Sequence, residues 1–305
     1  MSSATAVEIS GFTKRYGRLT AVDNLSLSAG RGQIVALVGP DGSGKTTLFR
    51  ATCGLITFDA GTISIVGLDI TRDFEKVKLR LGYMPQVFSL YQDLSVEENL
   101  GFYAGLFGVD RPTLTRKQEV LYQFSGLGPF RRRRAGQLSG GMKQKLSLCC
   151  ALVHDPEVFI LDEPTAGVDP VSRQQFWDIL KDLKSHGSTI LISTPYMDEV
   201  AMADRAIFIY GGKVLASGTP QELAGEFKGR VYRLRVAPNA QELAEVGRIP
   251  GLSVRRFGTS AYIYTDGGRA IDTYYDRLGV LGIRSEALEE VPASLEDAFV
   301  QLMGR

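Results

Sequence analysis

The sequence predicts an α/β fold, a parallel sheet covered by helices, followed by a smaller C-terminal α+β domain. Three observations lead there. Short apolar runs rich in β-branched residues recur at 34–38, 158–161, 189–192 and 206–209, and a parallel sheet buried on both faces requires such continuous apolar strands. The first run is followed by a glycine-rich loop and a helix beginning near Lys45, a strand–loop–helix unit. After about Gly225 the chain switches to short alternating strands and helices.

The chain has 305 residues, a length that suggests about two domains. At 44% hydrophobic and 23% charged residues it can bury a sizeable core, so long disorder is excluded. Lys plus Arg is 35 against 34 for Asp plus Glu, a net charge of +1. A protein whose main partner is nucleic acid normally carries a basic excess, so no nucleic-acid partner is expected. No apolar run approaches the roughly 18 residues that cross a bilayer. The first ten residues, MSSATAVEIS, lack the basic and apolar regions of a secretory signal. Cys53, Cys149 and Cys150 have no metal-ligand spacing and read as core thiols of a reducing cytosol.

The elements follow in order. Between about 74 and 138 the pattern turns helical, with helices around 96–100 and 117–121 and with Gly105, Gly108, Pro112 and Pro129 punctuating the loops. This segment is expected as a helical insertion between sheet strands, inside a first domain of residues 1–225. In residues 226–305 the expected order is a strand at 231–236, a helix at 241–249, and a hairpin of 254–257 and 261–265 across Gly258-Thr259. A helix at 270–278, a strand at 283–288 and a last helix at 294–303 complete it, Ser294 and Asp297 having capping-box spacing. Strand–helix–strand–strand–helix–strand is a ferredoxin-like order. A structural appendage and a dimerisation or regulatory module fit this domain equally well.

The chemistry starts at Gly39-Pro40-Asp41-Gly42-Ser43-Gly44-Lys45-Thr46-Thr47, which fits G-x-x-x-x-G-K-[ST], the phosphate loop of P-loop NTPases. Its glycines let main-chain amides wrap round phosphate oxygens, and the following helix N-terminus faces the anion. Lys45 would reach the β and γ phosphates and the Thr46 hydroxyl would ligate Mg²⁺. The run 158–161 ends in Asp162-Glu163, two carboxylates at the C-terminal end of a parallel strand, where open α/β sheets place their ligands. Asp162 is expected to hold Mg²⁺ and Glu163 to polarise the water that attacks the γ-phosphate.

At Leu138-Ser139-Gly140-Gly141-Met142 the chain resembles the ATP-binding cassette (ABC) proteins, whose signature motif this run is similar to. A serine and two glycines opening a helix make a second anion-binding terminus. The resemblance implies that Ser139, Gly140 and Gly141 serve the ATP of a second cassette, so that two subunits sandwich two nucleotides. It also implies that Tyr16 stacks on adenine and that Gln86, in Tyr83-Met84-Pro85-Gln86, senses Mg²⁺ and couples to a membrane subunit. Asp169, in Ala166-Gly167-Val168-Asp169, would then lie in the loop across the dimer interface. The likeness spans about Val7 to Leu223. The runs Gly82-Tyr83-Met84-Pro85-Gln86, Met142-Lys143-Gln144-Lys145-Leu146 and Ser294-Leu295-Glu296-Asp297-Ala298-Phe299 are similar to the export branch served by ABC-2 type permeases. The cofactors implied are ATP and Mg²⁺. The partners implied are an ABC-2 type integral membrane permease and a second cassette, identical or different, which would put the chain on the cytoplasmic face of the cell membrane.

One position departs from the family. Ser193-Thr194-Pro195-Tyr196 puts Pro195 where the family normally carries a histidine that contacts the γ-phosphate. Proline has no side-chain donor and no N–H. The two histidines present, His154 and His186, both precede strands at the end of the sheet opposite the phosphates and are expected as solvated loop residues. Losing one preorganised donor typically costs about 10²–10³ in rate, so slow hydrolysis is expected. A regulatory, non-hydrolysing partner of a competent cassette remains an alternative, as does a soluble cassette acting on ribosomes or DNA. Arg131 to Arg134 reads as a solvated face or a contact with acidic lipid or a permease loop. Leu100, Phe102, Tyr103, Leu106 and Phe107 read mostly as core, with part of the stripe available to a permease helix.

Overall fold

The computed structural model describes residues 5–234, 240–257, 260–267, 269–284 and 287–304. The chain divides into two compact units, Met1–Pro220 and Gln221–Arg305.

The first unit opens with two long strands, β1 (Thr5–Tyr16) and β2 (Leu19–Gly30). They pair with β4 (Ala60–Ile65) and β5 (Leu68–Asp69) in an antiparallel sheet of order β2-β1-β4-β5. That sheet was not anticipated from the sequence. In β2 the buried Leu25, Leu27 and Ala29 alternate with exposed Ser26 and Ser28, because one face alone packs on the core.

The other sheet carries the chemistry. Its strands are β3 (Ile34–Val38), β6 (Leu81–Met84), β7 (Val158–Asp162), β8 (Thr189–Ser193), β9 (Arg205–Tyr210) and β10 (Lys213–Gly218), in the order β10-β9-β3-β8-β7-β6. All neighbours are parallel except β10, which folds back on β9. Every residue of β3, β7 and β8 is buried, as their unbroken apolar character predicts.

Helix α1 (Lys45–Thr52) follows β3, and α2 (Phe74–Lys78) leads to β6. These last two elements correct the expected insertion. Residues 74–84 belong to the sheet layer, since β6 pairs in parallel with β7 from Leu81↔Val158 to Met84↔Leu161. The strand contains Gly82, where a Cβ would stand 2.8 Å from the Phe159 ring, so a short run with a glycine gave no strand signal.

The helices of the insertion are α3 (Val96–Leu106) and α4 (Arg111–Ser125), followed by α5 (Gly140–Leu152). A capping box of Ser95 and Glu98 starts α3, and Asp110 starts α4, whose end is closed by Gly126 in the left-handed conformation. Their apolar faces bury Val96, Leu100, Leu121, Leu146 and the thiols of Cys149 and Cys150 in a cluster of their own. Burial pushes both thiols above their ordinary range, in keeping with core cysteines. The expected core stripe is corrected here: Leu100 is buried, but Phe102 and Leu106 are exposed. Helices α6 (Pro170–Ser185) and α7 (Met197–Val200) flank β8.

Helix α8 (Pro220–Gly225) lies where the two units join in sequence. The second unit contains β11 (Gly229–Leu234), α9 (Ala240–Val246), β12 (Leu252–Phe257), β13 (Ser260–Asp266), α10 (Tyr275–Val280), β14 (Leu288–Val291) and α11 (Leu295–Met303). Its sheet has the order β12-β13-β11-β14 with every pair antiparallel. The last strand lies at Leu288–Val291 rather than 283–288, because Ile283 ends the preceding turn with its N–H on the Leu278 carbonyl. The expected turn at Gly258-Thr259, and residues 235 and 236 of the expected strand, fall outside the described residues. Ser294 and Asp297 form the expected capping box, and the Tyr264 hydroxyl donates to Asp297 at 2.6 Å.

Candidate nucleotide site

Strand β3 delivers the phosphate loop. The loop is tight: a Cβ on Gly39 would fall 2.2 Å from the Ile209 carbonyl oxygen, and Gly44 has φ +104° with backbone 2.7 Å from where a Cβ would lie. Glycine is required at both places. Gly44 is also the N-cap of α1 and gives no side-chain cap, which leaves the first N–H groups of the helix facing the cleft.

Lys45 is buried and folded back on its own loop, its Nζ donating to the carbonyls of Gly39 at 2.8 Å and Pro40 at 3.1 Å. The same Nζ stands 3.6 Å from Glu163 Oε1. Gln86, after β6, donates its Nε2 to Glu163 Oε2 at 2.8 Å. Three elements distant in sequence thus meet on one carboxylate. Tyr16, Asp41, Gly42, Ser43, Thr46 and Thr47 line the same cleft of about 510 Å³, a size suited to a nucleotide-sized ligand. The Tyr16 ring is half exposed, with Lys14 Nζ 5.1 Å from its centre.

Asp162 is fully buried at the end of β7. Its Oδ1 accepts a hydrogen bond of 2.7 Å from Ser193 Oγ, whereas its Oδ2 and the buried Ser43 Oγ have no hydrogen-bond partner. Such orphaned buried oxygens cost free energy unless something supplies the missing contacts, and a metal–triphosphate complex would do so. Among the described residues no cluster of three or more His, Cys, Asp or Glu stands ready for a metal. Mg²⁺ takes one or two protein ligands and completes its shell from phosphates and water, so the free Asp162 Oδ2 is the kind of oxygen it would use.

Ser139, Gly140, Gly141 and Asp169 are not in this cleft. Ser139 caps α5 by accepting from Met142 N–H, and Asp169 caps α6 by accepting from Ser172 N–H at 2.9 Å. That N–H holds the Asp169 carboxyl below its usual range. A Cβ on Gly141 would touch Ser172 Oγ at 2.8 Å, so the two helix starts sit side by side as a second, exposed cluster. The expected site residues therefore fall into two groups, one around Lys45 and one at Ser139 and Asp169.

Pro195 is exposed, and the residues around it are held by Glu199 rather than by any histidine. The buried Glu199 carboxylate accepts from Thr194 Oγ1 at 2.5 Å and from Thr165 Oγ1 at 2.7 Å, with Arg173 Nη1 3.9 Å away. Pattern reading missed this latch, since a buried glutamate four residues after a proline looks like a surface helix residue. His186 is exposed as expected, but His154 corrects the solvated-loop expectation. Its ring stacks on Phe107 with centroids 3.7 Å apart, and its Nε2 meets the Leu81 carbonyl at 3.2 Å, at the opposite end of the sheet from Glu163.

The family model "ABC transporter" matches residues 22–166. The chain is 38% identical over 98% of its length to the "Probable multidrug ABC transporter ATP-binding protein YbhF" of Escherichia coli (strain K12), of which it spans about half, 52%. It is 33% identical to "Nod factor export ATP-binding protein I" of Rhizobium sp. (strain N33), across 99% of this chain and 98% of that one. Among solved structures it resembles the "Dimeric structure of a post-hydrolysis state of the ATP-binding cassette MJ0796 bound to ADP and Pi", with a TM-score of 0.63 and 25% identity over 70% of this chain and 98% of that one.

Proposed function

Because this chain belongs to the ATP-binding subunits of ABC transporters, an ATPase family, we propose that it hydrolyses MgATP in the Lys45 cleft to drive a separate ABC-2 type permease in export. The observation that carries the proposal is the convergence of Lys45 and Gln86 on Glu163 beneath a phosphate loop with free helix N–H groups. An entering triphosphate competes for Lys45, drawing Nζ from the Gly39 and Pro40 carbonyls to phosphate oxygens. That releases Glu163 Oε1 to accept a proton from the attacking water. Tyr16 offers an aromatic face for adenine. Thr46, Asp162 and Gln86 would hold Mg²⁺, which when bound neutralises charge building up on the phosphates.

The cluster at Ser139 and Asp169 is read as serving the nucleotide of a second cassette, and a solved cassette that this chain resembles is a dimer bound to ADP and Pi. Nucleotide then acts as glue between Lys45 of one subunit and Ser139 of its partner, and hydrolysis releases it. No described helix is long and apolar enough to cross a membrane, so a permease is the proposed membrane partner, with this chain peripheral on the cytoplasmic face. A cavity of about 280 Å³, lined by Phe74, Tyr83, Met84, Leu90, Tyr103 and Phe107 beside Pro85, could take a few apolar side chains of a permease helix lying across it. It lies next to Gln86 in sequence, so a docked helix and the Glu163 contact share one loop.

Pro195 supports slow turnover at this chain's own site. It favours a second reading, in which the chain clamps ATP and lends Ser139 to a competent cassette. Turnover of purified wild type against Pro195→His tests this. The expected result is a gain of about 10²-fold, the size of one restored donor to the transition state. Equal turnover would contradict the impaired-site reading.

A further inference from the structure

Ser193, the last residue of β8, is fully buried and lies opposite Asp162 in the β7–β8 register. Its Oγ donates to Asp162 Oδ1 at 2.7 Å and accepts from the Glu163 backbone N–H at 2.9 Å. The Glu163 N–H also reaches the Ser193 carbonyl at 3.2 Å. A hydroxyl has one proton, so giving it to Asp162 turns the lone pairs toward Glu163.

Both recipients need holding. Glu163 has φ +48°, a left-handed conformation that a glutamate keeps only when its surroundings enforce it. Asp162 is a carboxylate out of reach of water, and the Ser193 bond decides which of its oxygens stays free. That oxygen is Oδ2, which has no partner. The sheet register, rather than the phosphate loop, brings the hydroxyl to both groups.

We propose that Ser193 is the positioning residue of the Asp162–Glu163 pair: one hydroxyl turns Asp162 so that Oδ2 is free for the metal of a metal–nucleotide complex, and pins the strained backbone that carries Glu163. The proposal rests on the nucleotide reading above and adds a fully buried residue outside the lining of the cleft. Orienting partners of metal ligands typically cost about 10–100-fold in metal affinity when removed.

The test uses the full chain, Mn²⁺ as the probe metal, and saturating adenylyl imidodiphosphate, with free Mn²⁺ read by electron paramagnetic resonance. Nucleotide affinity in EDTA is measured separately by calorimetry. For Ser193→Ala, Mn²⁺ affinity in the presence of nucleotide is expected to fall about 10–100-fold, while metal-free nucleotide affinity stays within about twofold, the phosphate loop being intact. Ser193→Thr, which keeps the hydroxyl, is expected to recover most of the loss. Ser193→Cys, a weak donor of similar shape, gives the same reading where the alanine variant melts too low, with a smaller loss expected. Unchanged Mn²⁺ affinity in a folded alanine or cysteine variant overturns the proposal, as does an equal loss of metal-free nucleotide affinity. Failure of wild type to bind nucleotide in EDTA would instead sink the underlying reading.

Discussion

The cleft around Lys45 and the paired helix starts at Ser139 and Asp169 satisfy their polar groups in opposite ways. Around the cleft, Ser43 Oγ and, behind Glu163 at the end of β7, Asp162 Oδ2 are buried without partners, α1 has no side-chain cap, and Lys45 bonds to its own loop carbonyls. At the second cluster each helix is capped by its own side chain, and Ser139, Gly140 and Asp169 face solvent. The first arrangement is incomplete without a ligand. The second has its polar groups satisfied as a surface and, on the proposed reading, would gain a ligand only when another body brings one. An anion is therefore expected at the cleft first, where unmet hydrogen bonds would add to the helix N-terminus.

Substitutions should separate the two clusters. The largest effect is expected from Lys45→Ala, which removes the buried cation of the cleft. ATP affinity of the single chain should fall about 10²–10³-fold, the loss for truncating a desolvated charged contact, as read by calorimetry. Ser139→Ala should leave single-chain ATP affinity unchanged and weaken ATP-dependent self-association by about 10–100-fold, equivalent to about 1.5–3 kcal/mol for a hydrogen bond to a charged group. Analytical ultracentrifugation with and without nucleotide would report it. Loss of single-chain binding in this variant would erase the distinction between the clusters.

A smaller effect belongs to the segment between them. Glu199→Ala strands the hydroxyls of Thr165 and Thr194 beside Arg173. It should lower unfolding free energy by about 1–3 kcal/mol, the cost of leaving buried donors unpaired, with urea denaturation as the measurement. The smallest is a pH effect at the far end of the sheet. Burial holds the His154 pKa below its ordinary 6.5, so the unfolded chain binds the proton more readily. Stability from this group is present above pH 6.5 and is lost as pH falls toward the folded pKa. His154→Gln should flatten that part of the melting-temperature profile between pH 7.5 and 5.5.

The parallel sheet and the phosphate loop were legible because their physics is local. Unbroken apolar runs predict strands buried on both faces, and the glycine positions follow from backbone approach at Gly39 and Gly44. The capping serines at 139 and 294 were legible for the same reason. What escaped depends on contacts between distant segments. Strand β6 is recognisable only beside β7, the antiparallel sheet only once β1 meets β4, and Glu199 only once Thr165 is brought to it. His154 shows the same limit: its solvation depends on Phe107, which the sequence places 47 positions away (154 − 107). The contacts of Glu163 with Lys45 and Gln86 follow from the fold and could not be read from spacing.

The most direct measurement is a calorimetric titration of the folded wild-type chain with ATP, with and without Mg²⁺. The predicted result is saturable binding of one nucleotide per chain, tightened by the metal and weakened about 10²–10³-fold in Lys45→Ala. A folded wild-type chain that takes up no ATP under either condition would contradict it.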